Sequence, residues 1–320
     1  MKRSFFLLML TAVAFASCAD DNPIKGNGGG NGDGDLVTPD IDIAIGTQGP
    51  MTGTLEVFPC LPATSTYYGN YFNGKLSPFP GMYVLADGAV SGTPIRPILL
   101  PVGTYNMLYW GTTQTGEMIT NNPNLGGPQL TLGGDLSQQY FSLVQDSPDT
   151  TYRPVPDLVY AVVPTDIGTD KLSAVLRRQT AGFQAIVKSS SGATLASAID
   201  SMSVRIGGIA EGLNVYTAAP VNQTRTVAIP LVLSADSLQM SNPVAMLFPS
   251  AVSPLFQLIV TLKNGTVKTF SQALSNPLKA NTMLTLTITI GGIFSEEETG
   301  SFTVDSWETE SEDIDIPSLE

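Results

Sequence analysis

From Leu36 onward the apolar residues return at every second position, and that period decides what the chain can fold into. Leu284, Leu286, Ile288 and Ile290 alternate with Thr285, Thr287 and Thr289. Successive side chains of a strand point to opposite faces, so this run reads as a strand buried on one side. Ile41, Ile43 and Ile45 alternate with Asp40, Asp42 and Ala44, and Met202, Val204 and Ile206 alternate with Ser203 and Arg205. Leu55 and Val57 flank Glu56, Phe183, Ala185 and Val187 share one face, and 105–110, 140–144 and 158–163 are strands by residue type. Pro230 makes the 227–233 run an edge strand or a broken one. Asp87-Gly88 is a turn signal, and Asn264-Gly265 predicts a two-residue type I′ hairpin with Leu262 opposite Val267. Only 172–178 reads as a short helix or a connector. Charged residues make up 13% of the chain, about half the usual ~25%, too few for long solvated helices. The expected class is therefore all-β with sandwich architecture. The 320 residues allow about two domains. They are expected at 36–170 and 171–306, with an acidic tail at 307–320.

The first 35 residues follow different rules. Lys2 and Arg3 precede an apolar stretch from Phe5 to Phe15 that is too short to span a bilayer, as in a secretion leader. Phe15-Ala16-Ser17-Cys18 resembles a lipobox, in which the thiol takes a diacylglyceryl group before cleavage, although Phe15 stands where leucine is usual. The leader is thus read as 1–17 and the mature chain begins at a lipidated Cys18. Diacylglyceryl and amine acylation together make a stable anchor. Ala19-Asp20-Asp21 resembles the short acidic signal that sends such proteins to the outer face of the outer membrane. The Gly-rich stretch 22–35 cannot bury apolar surface and reads as a flexible tether.

Composition excludes whole classes of chemistry. The net charge is −13, and losing Lys2 and Arg3 with the leader brings it to −15. Nucleic acid requires basic patches, so it is not an expected partner. There is no histidine, which removes Ser-His-Asp and Cys-His catalysis and imidazole metal sites. Cys60 has no partner once Cys18 is lipidated, and it reads as a small buried hydrophobe. No metal site, cofactor or catalytic residue is expected.

The motifs that remain have plain readings. Gly69-Asn70-Tyr71-Phe72-Asn73-Gly74-Lys75 fits a phosphate-binding loop except that Leu76 replaces its hydroxyl residue, and no strand-then-helix context surrounds it. Asp166 and Asp170 form a carboxylate pair of the kind a glycosidase uses, but any acidic chain offers such pairs. Tyr67, Tyr68, Tyr71 and Phe72 cluster closely enough to stack on sugar rings or to pack in a core.

Several stretches together resemble the fimbrillin-associated anchor lipoproteins of Bacteroidales, the FimB-like group of the type V pilus system. They are the lipobox with its acidic follow-up, the run Leu100-Pro101-Val102-Gly103-Thr104-Tyr105-Asn106-Met107-Leu108-Tyr109-Trp110-Gly111, and Pro156-Asp157-Leu158-Val159-Tyr160. Arg177-Arg178 followed by the strand from Gly182 to Val187 is similar to that family's entry into its second domain. The resemblance implies two tandem transthyretin-like β-sandwich domains and a non-catalytic role in anchoring or assembling fimbriae on the cell surface. It implies fimbrial subunits as partners, joined by strand addition. Stalk subunits of that family lose an N-terminal segment, often after an arginine. Here Arg96 is the first arginine after the leader, which favours an anchor that keeps its N-terminus. The C-terminal candidates for partner binding are Ile314 and Ile316, which alternate with Asp313 and Asp315. The alternative is a surface glycan-binding lipoprotein of a polysaccharide-uptake system, recognisable by exposed Tyr and Trp forming one platform.

Overall fold

The computed structural model describes residues 35–46, 51–114, 122–146, 148–189, 192, 194–197, 199–290, 300–306 and 312–316, the last two stretches by their backbone course. Its regular structure is strands joined by turns, with two single-turn 3-10 helices, Leu136–Gln138 and Leu195–Ser197.

Seven strands close on themselves in the order Leu158–Ile167, Leu172–Arg178, Ile41–Ile45, Ala89–Arg96, Gly81–Ala86, Gly53–Cys60 and Gly103–Thr113, which returns to Leu158–Ile167. Closure removes the unpaired edges that an open sheet leaves. Inside lie Ile43, Leu55, Val57, Leu85, Met107, Tyr109, Val159 and Leu176. The inner positions are those predicted by the period of two. Residue 88 is glycine because the Asp87-Gly88 turn takes positive φ at both positions, 50° and 83°, as a type I′ hairpin requires.

The stretch 172–178 is a strand, neither helix nor connector. Leu172, Ala174 and Leu176 are buried and Ser173, Val175 and Arg177 are exposed. It runs parallel to Ile41–Ile45, with Leu172 beside Ile41 and Leu176 beside Ile45. A boundary after residue 170 would cut this strand from its sheet; sheet membership changes between Arg178 and Ala181. Seven residues with a period of two can be mistaken for two helical turns when the partner strand lies far away in sequence.

Ile199–Asn214 is the spine of the other sheet. It pairs with Leu255–Leu262 and with Pro220–Leu233, and its end reaches back to Tyr140–Ser142. Gly208, at φ 75°, sits where the register slips between Ile206 and Ile209 and lets the strand bend. Pro230 pairs with Ser203 inside the long strand. Ala181–Ser189 lies parallel to Met283–Ile290, so each half places its first strand beside a late one in the same direction. The 255–273 hairpin differs from expectation by one residue. Thr261 pairs with Val267, and Gly265 alone takes positive φ, 84°. The loop therefore has three residues, Lys263-Asn264-Gly265, with glycine at the left-handed position.

The main core lies between these sheets and extends onto the outer face of the closed one. It holds Val204, Ile206, Leu258, Phe183, Leu286 and Ile288, together with Phe58, Leu108 and Trp110 from the closed assembly. Trp110 packs on Phe141 and Tyr160 at centroid distances of 4.8 and 4.7 Å, and its Nε1–H donates to the Val215 carbonyl at 2.8 Å. The Tyr160 hydroxyl donates to the Tyr216 carbonyl, and Asn106 Nδ2 donates to the Tyr216 hydroxyl at 3.1 Å. Both halves are thereby joined by buried apolar surface and by satisfied polar groups.

Candidate functional site

The C-terminal candidates sit at the end of a sheet. Met283–Ile290 pairs with Gly300–Ser306, and that strand pairs with Glu312–Ile316, which ends the order. The register sets Ile314 opposite Phe302 and Phe302 opposite Ile288; Ile316 is opposite Gly300. By the period of two, positions 314 and 316 fall on the face that Ile288 occupies, and positions 313 and 315 on the other. One side of Glu312–Ile316 carries a partner strand; along the other, no described strand lies. The opposite end of the same sheet is Val267–Ala273, which carries Lys268. Glu312, Asp313 and Asp315 give the C-terminal edge an acidic sequence, a composition that discourages indiscriminate pairing.

The N-terminal end enters the fold elsewhere. The Asp35 carbonyl accepts from Val102 N–H at 3.3 Å, and Leu36–Val37 pairs with Leu100–Pro101. Ile41–Ile45 then completes the closed sheet from within its own chain. The described chain therefore begins beside the closed assembly, at Asp35 to Val37, and the acidic edge belongs to the open one. Cys18, the leader and the tether lie outside the described residues, as does 307–311.

Where the halves meet, the Arg177-Arg178 pair divides between solvent and a largely buried ion pair. Arg177 is exposed, whereas Arg178 Nε donates to both carboxylate oxygens of Asp157, at 3.0 and 2.8 Å. The two side chains are 11% and 10% exposed. Thr180 adds a 2.6 Å hydroxyl bond to the same carboxylate, and the Asp157 N–H donates to the Thr113 hydroxyl at 2.8 Å. Residue types alone gave no sign that these four would converge.

The other motifs resolve into local structure. The loop-like run 69–76 is a hairpin of Asn70–Phe72 with Lys75–Ser77, turned by Asn73-Gly74 at φ 51° and 72°. Asp170 accepts from the Asp166 N–H at 2.9 Å, so the carboxylate pair closes an exposed turn. Tyr67 is buried, its hydroxyl bonded to the Pro78 carbonyl at 3.3 Å, and Tyr68 packs edge-on against Tyr105. Of the four clustered aromatics only Phe72 is exposed, and Arg96 lies over it and over Phe79 at 5.7 and 5.1 Å. Trp110 is buried as well. These residues do not form a sugar-stacking platform. Cys60 is a buried free thiol, pushed up to about 12 by burial and then by the nearby Asp135 charge. It stays protonated and unreactive at neutral pH.

A family model for fimbrillin-A associated anchor proteins matches residues 40–313. The chain belongs to that family. Among solved structures, it is similar to the fimbrial anchor protein Mfa2 from Porphyromonas gingivalis, at 15% identity and TM-score 0.51, covering 87% of this chain and 98% of that one. A candidate cell-adhesion protein from Bacteroides uniformis shares 16% identity at TM-score 0.50, covering 86% and 97%. A candidate polysaccharide-binding protein from Bacteroides thetaiotaomicron shares 12% at TM-score 0.50, covering 76% and 85%. At such identities the likeness is one of fold. No curated protein matches the chain. The anchor family's members are associated with fimbriae, which places this chain at the cell surface among protein partners.

Proposed function

We propose that this chain anchors or assembles fimbriae as a surface lipoprotein, held in the outer membrane by lipid on Cys18 and joined to a fimbrial subunit by strand addition along Glu312–Ile316. Family membership over 40–313 is the observation that carries this reading. The role is mechanical and non-catalytic: tethering requires no reacting group. In strand addition, main-chain hydrogen bonds give affinity and alternate side chains give register. Ile314 and Ile316 supply the apolar alternation for that register. The N-terminal strands and the acidic edge belong to different sheet assemblies, so any pull on a fimbria crosses the junction at Asp157, Arg178 and Trp110. A surface glycan-binding role is the weaker alternative, because of the four clustered aromatics that suggested it only Phe72 is exposed.

The test is Cys18→Ala in fimbriated cells. The expected result is chain in the soluble fraction and fimbriae shed into the medium. Membrane association of the variant that still requires detergent would overturn lipid anchoring at Cys18.

A further inference from the structure

One titratable group in the closed assembly has no part in anchoring. Direct pairing aligns Tyr160, Trp110, Glu56, Met82 and Arg96 across five strands, all on the outer face of the sheet. Trp110 and Tyr160 are covered by the second half of the molecule. Arg96 is turned toward Phe72 and Phe79 and donates to the Pro80 carbonyl at 2.8 Å. Glu56 is left between them, half-buried, and no side-chain hydrogen bond to it exists among the described residues.

The carboxyl faces a cavity of about 150 Å³. Phe58, Met82 and Phe141 form its buried apolar wall, Leu125 and Leu130 continue it outward, and threonine and amide side chains, Gln114 and Asn122 among them, line the rest. Among its described lining residues Glu56 is the only one with a formal charge. Thr113, Gln114 and Asn122 also border a wider cavity of about 670 Å³ that runs past Pro154, Val155 and Met246.

We propose that this pocket receives a lysine side chain from a partner polypeptide, with the ammonium group at the Glu56 carboxylate. A half-buried carboxylate without a hydrogen bond is poorly matched, and an ammonium supplies both the opposite charge and up to three donors. The apolar walls suit a methylene stem, which lysine buries readily behind its charge. The wider neighbouring cavity leaves room for the main chain on either side of the lysine, which favours a polypeptide over a free amine. The inference adds a second contact to the anchoring reading and does not depend on it.

Burial pushes the Glu56 carboxyl up to about 7, with Arg96 lowering it in part. Burial keeps Cys60 and Tyr67 protonated well above neutral pH, and Arg96 is the nearby cation. Since an ammonium binds the ionised carboxylate, affinity should rise about tenfold from pH 6 to pH 8.

The experiment titrates the mature protein with Nα-acetyl-lysine methylamide by calorimetry at pH 6 and pH 8. The norleucine analogue and putrescine are run alongside, and thermal melting confirms that Glu56→Gln folds. Support is binding of the lysine amide that tightens with pH, is at least tenfold weaker in Glu56→Gln, and exceeds that of both comparison ligands. Equal binding of the norleucine analogue would make the pocket merely apolar and overturn the proposal. So would a tenfold preference for putrescine, which would assign the site to a free amine. Absence of binding by the wild-type protein at both pH values would overturn it as well.

Discussion

Replacing Arg178 by alanine should destabilise the protein more than any surface charge change, and the structure supplies the magnitude. Asp157 is 7% exposed and its carboxylate is held by Arg178 Nε and the Thr180 hydroxyl. An exposed pair would contribute about 0–1 kcal/mol. Removing one member of a buried pair leaves the other charge unmatched, at a cost of about 3–5 kcal/mol. With an unfolding entropy of about 2.1 cal/mol/K per residue over roughly 270 residues, a loss of about 4 kcal/mol lowers Tm by about 7 °C if the chain melts as one unit. The double variant Asp157→Ala/Arg178→Ala should recover part of the loss, because no unmatched charge remains buried. Differential scanning calorimetry of both single variants and the double variant closes the cycle. A loss under about 1 kcal/mol in Arg178→Ala, or strict additivity in the double variant, would refute the reading of this contact as a buried junction.

Four further outcomes are expected. Deleting residues 313–320 should leave folding and membrane attachment intact but detach fimbriae from the cell; electron microscopy showing wild-type fimbriation would move the contact elsewhere. Trp110→Ala should cost about 3–5 kcal/mol in chemical denaturation, through lost packing on Phe141 and Tyr160 and an unpaired Val215 carbonyl. The folded Glu56 pKa is raised by burial, so its protonated form is favoured by folding, and that stability is complete below pH 4.5 and lost as pH rises through about 7. Glu56→Gln should therefore match wild type near pH 4 and exceed it at pH 8 by up to about 3 kcal/mol, read from melting curves across that range. Finally, EDTA should leave Tm unchanged, since no group of three potential metal-ligating side chains exists among the described residues; a large fall would reveal a bound cation.

The sequence by itself determined the strands. Period two in 41–45, 202–206 and 284–290, glycine at Gly88 and the scarcity of charge are local properties, and each leaves the backbone one favourable answer. The expected leader and tether rest on equally local patterns, as does the absence of histidine. Tertiary structure alone decided which strands meet and which outward faces are covered. The parallel pairing of 172–176 with 41–45 joins segments some 130 residues apart, so no short-range pattern carries it. Glu56 alternates with Leu55 and Val57 and so reads as a solvent-facing residue. It becomes a half-buried pocket residue because Phe141 and its neighbours pack over part of the outer face on which it stands. Asp157 and Arg178 became a buried pair in the same way, since alternation assigns a side chain to a face of its strand while only packing determines whether that face meets water or protein.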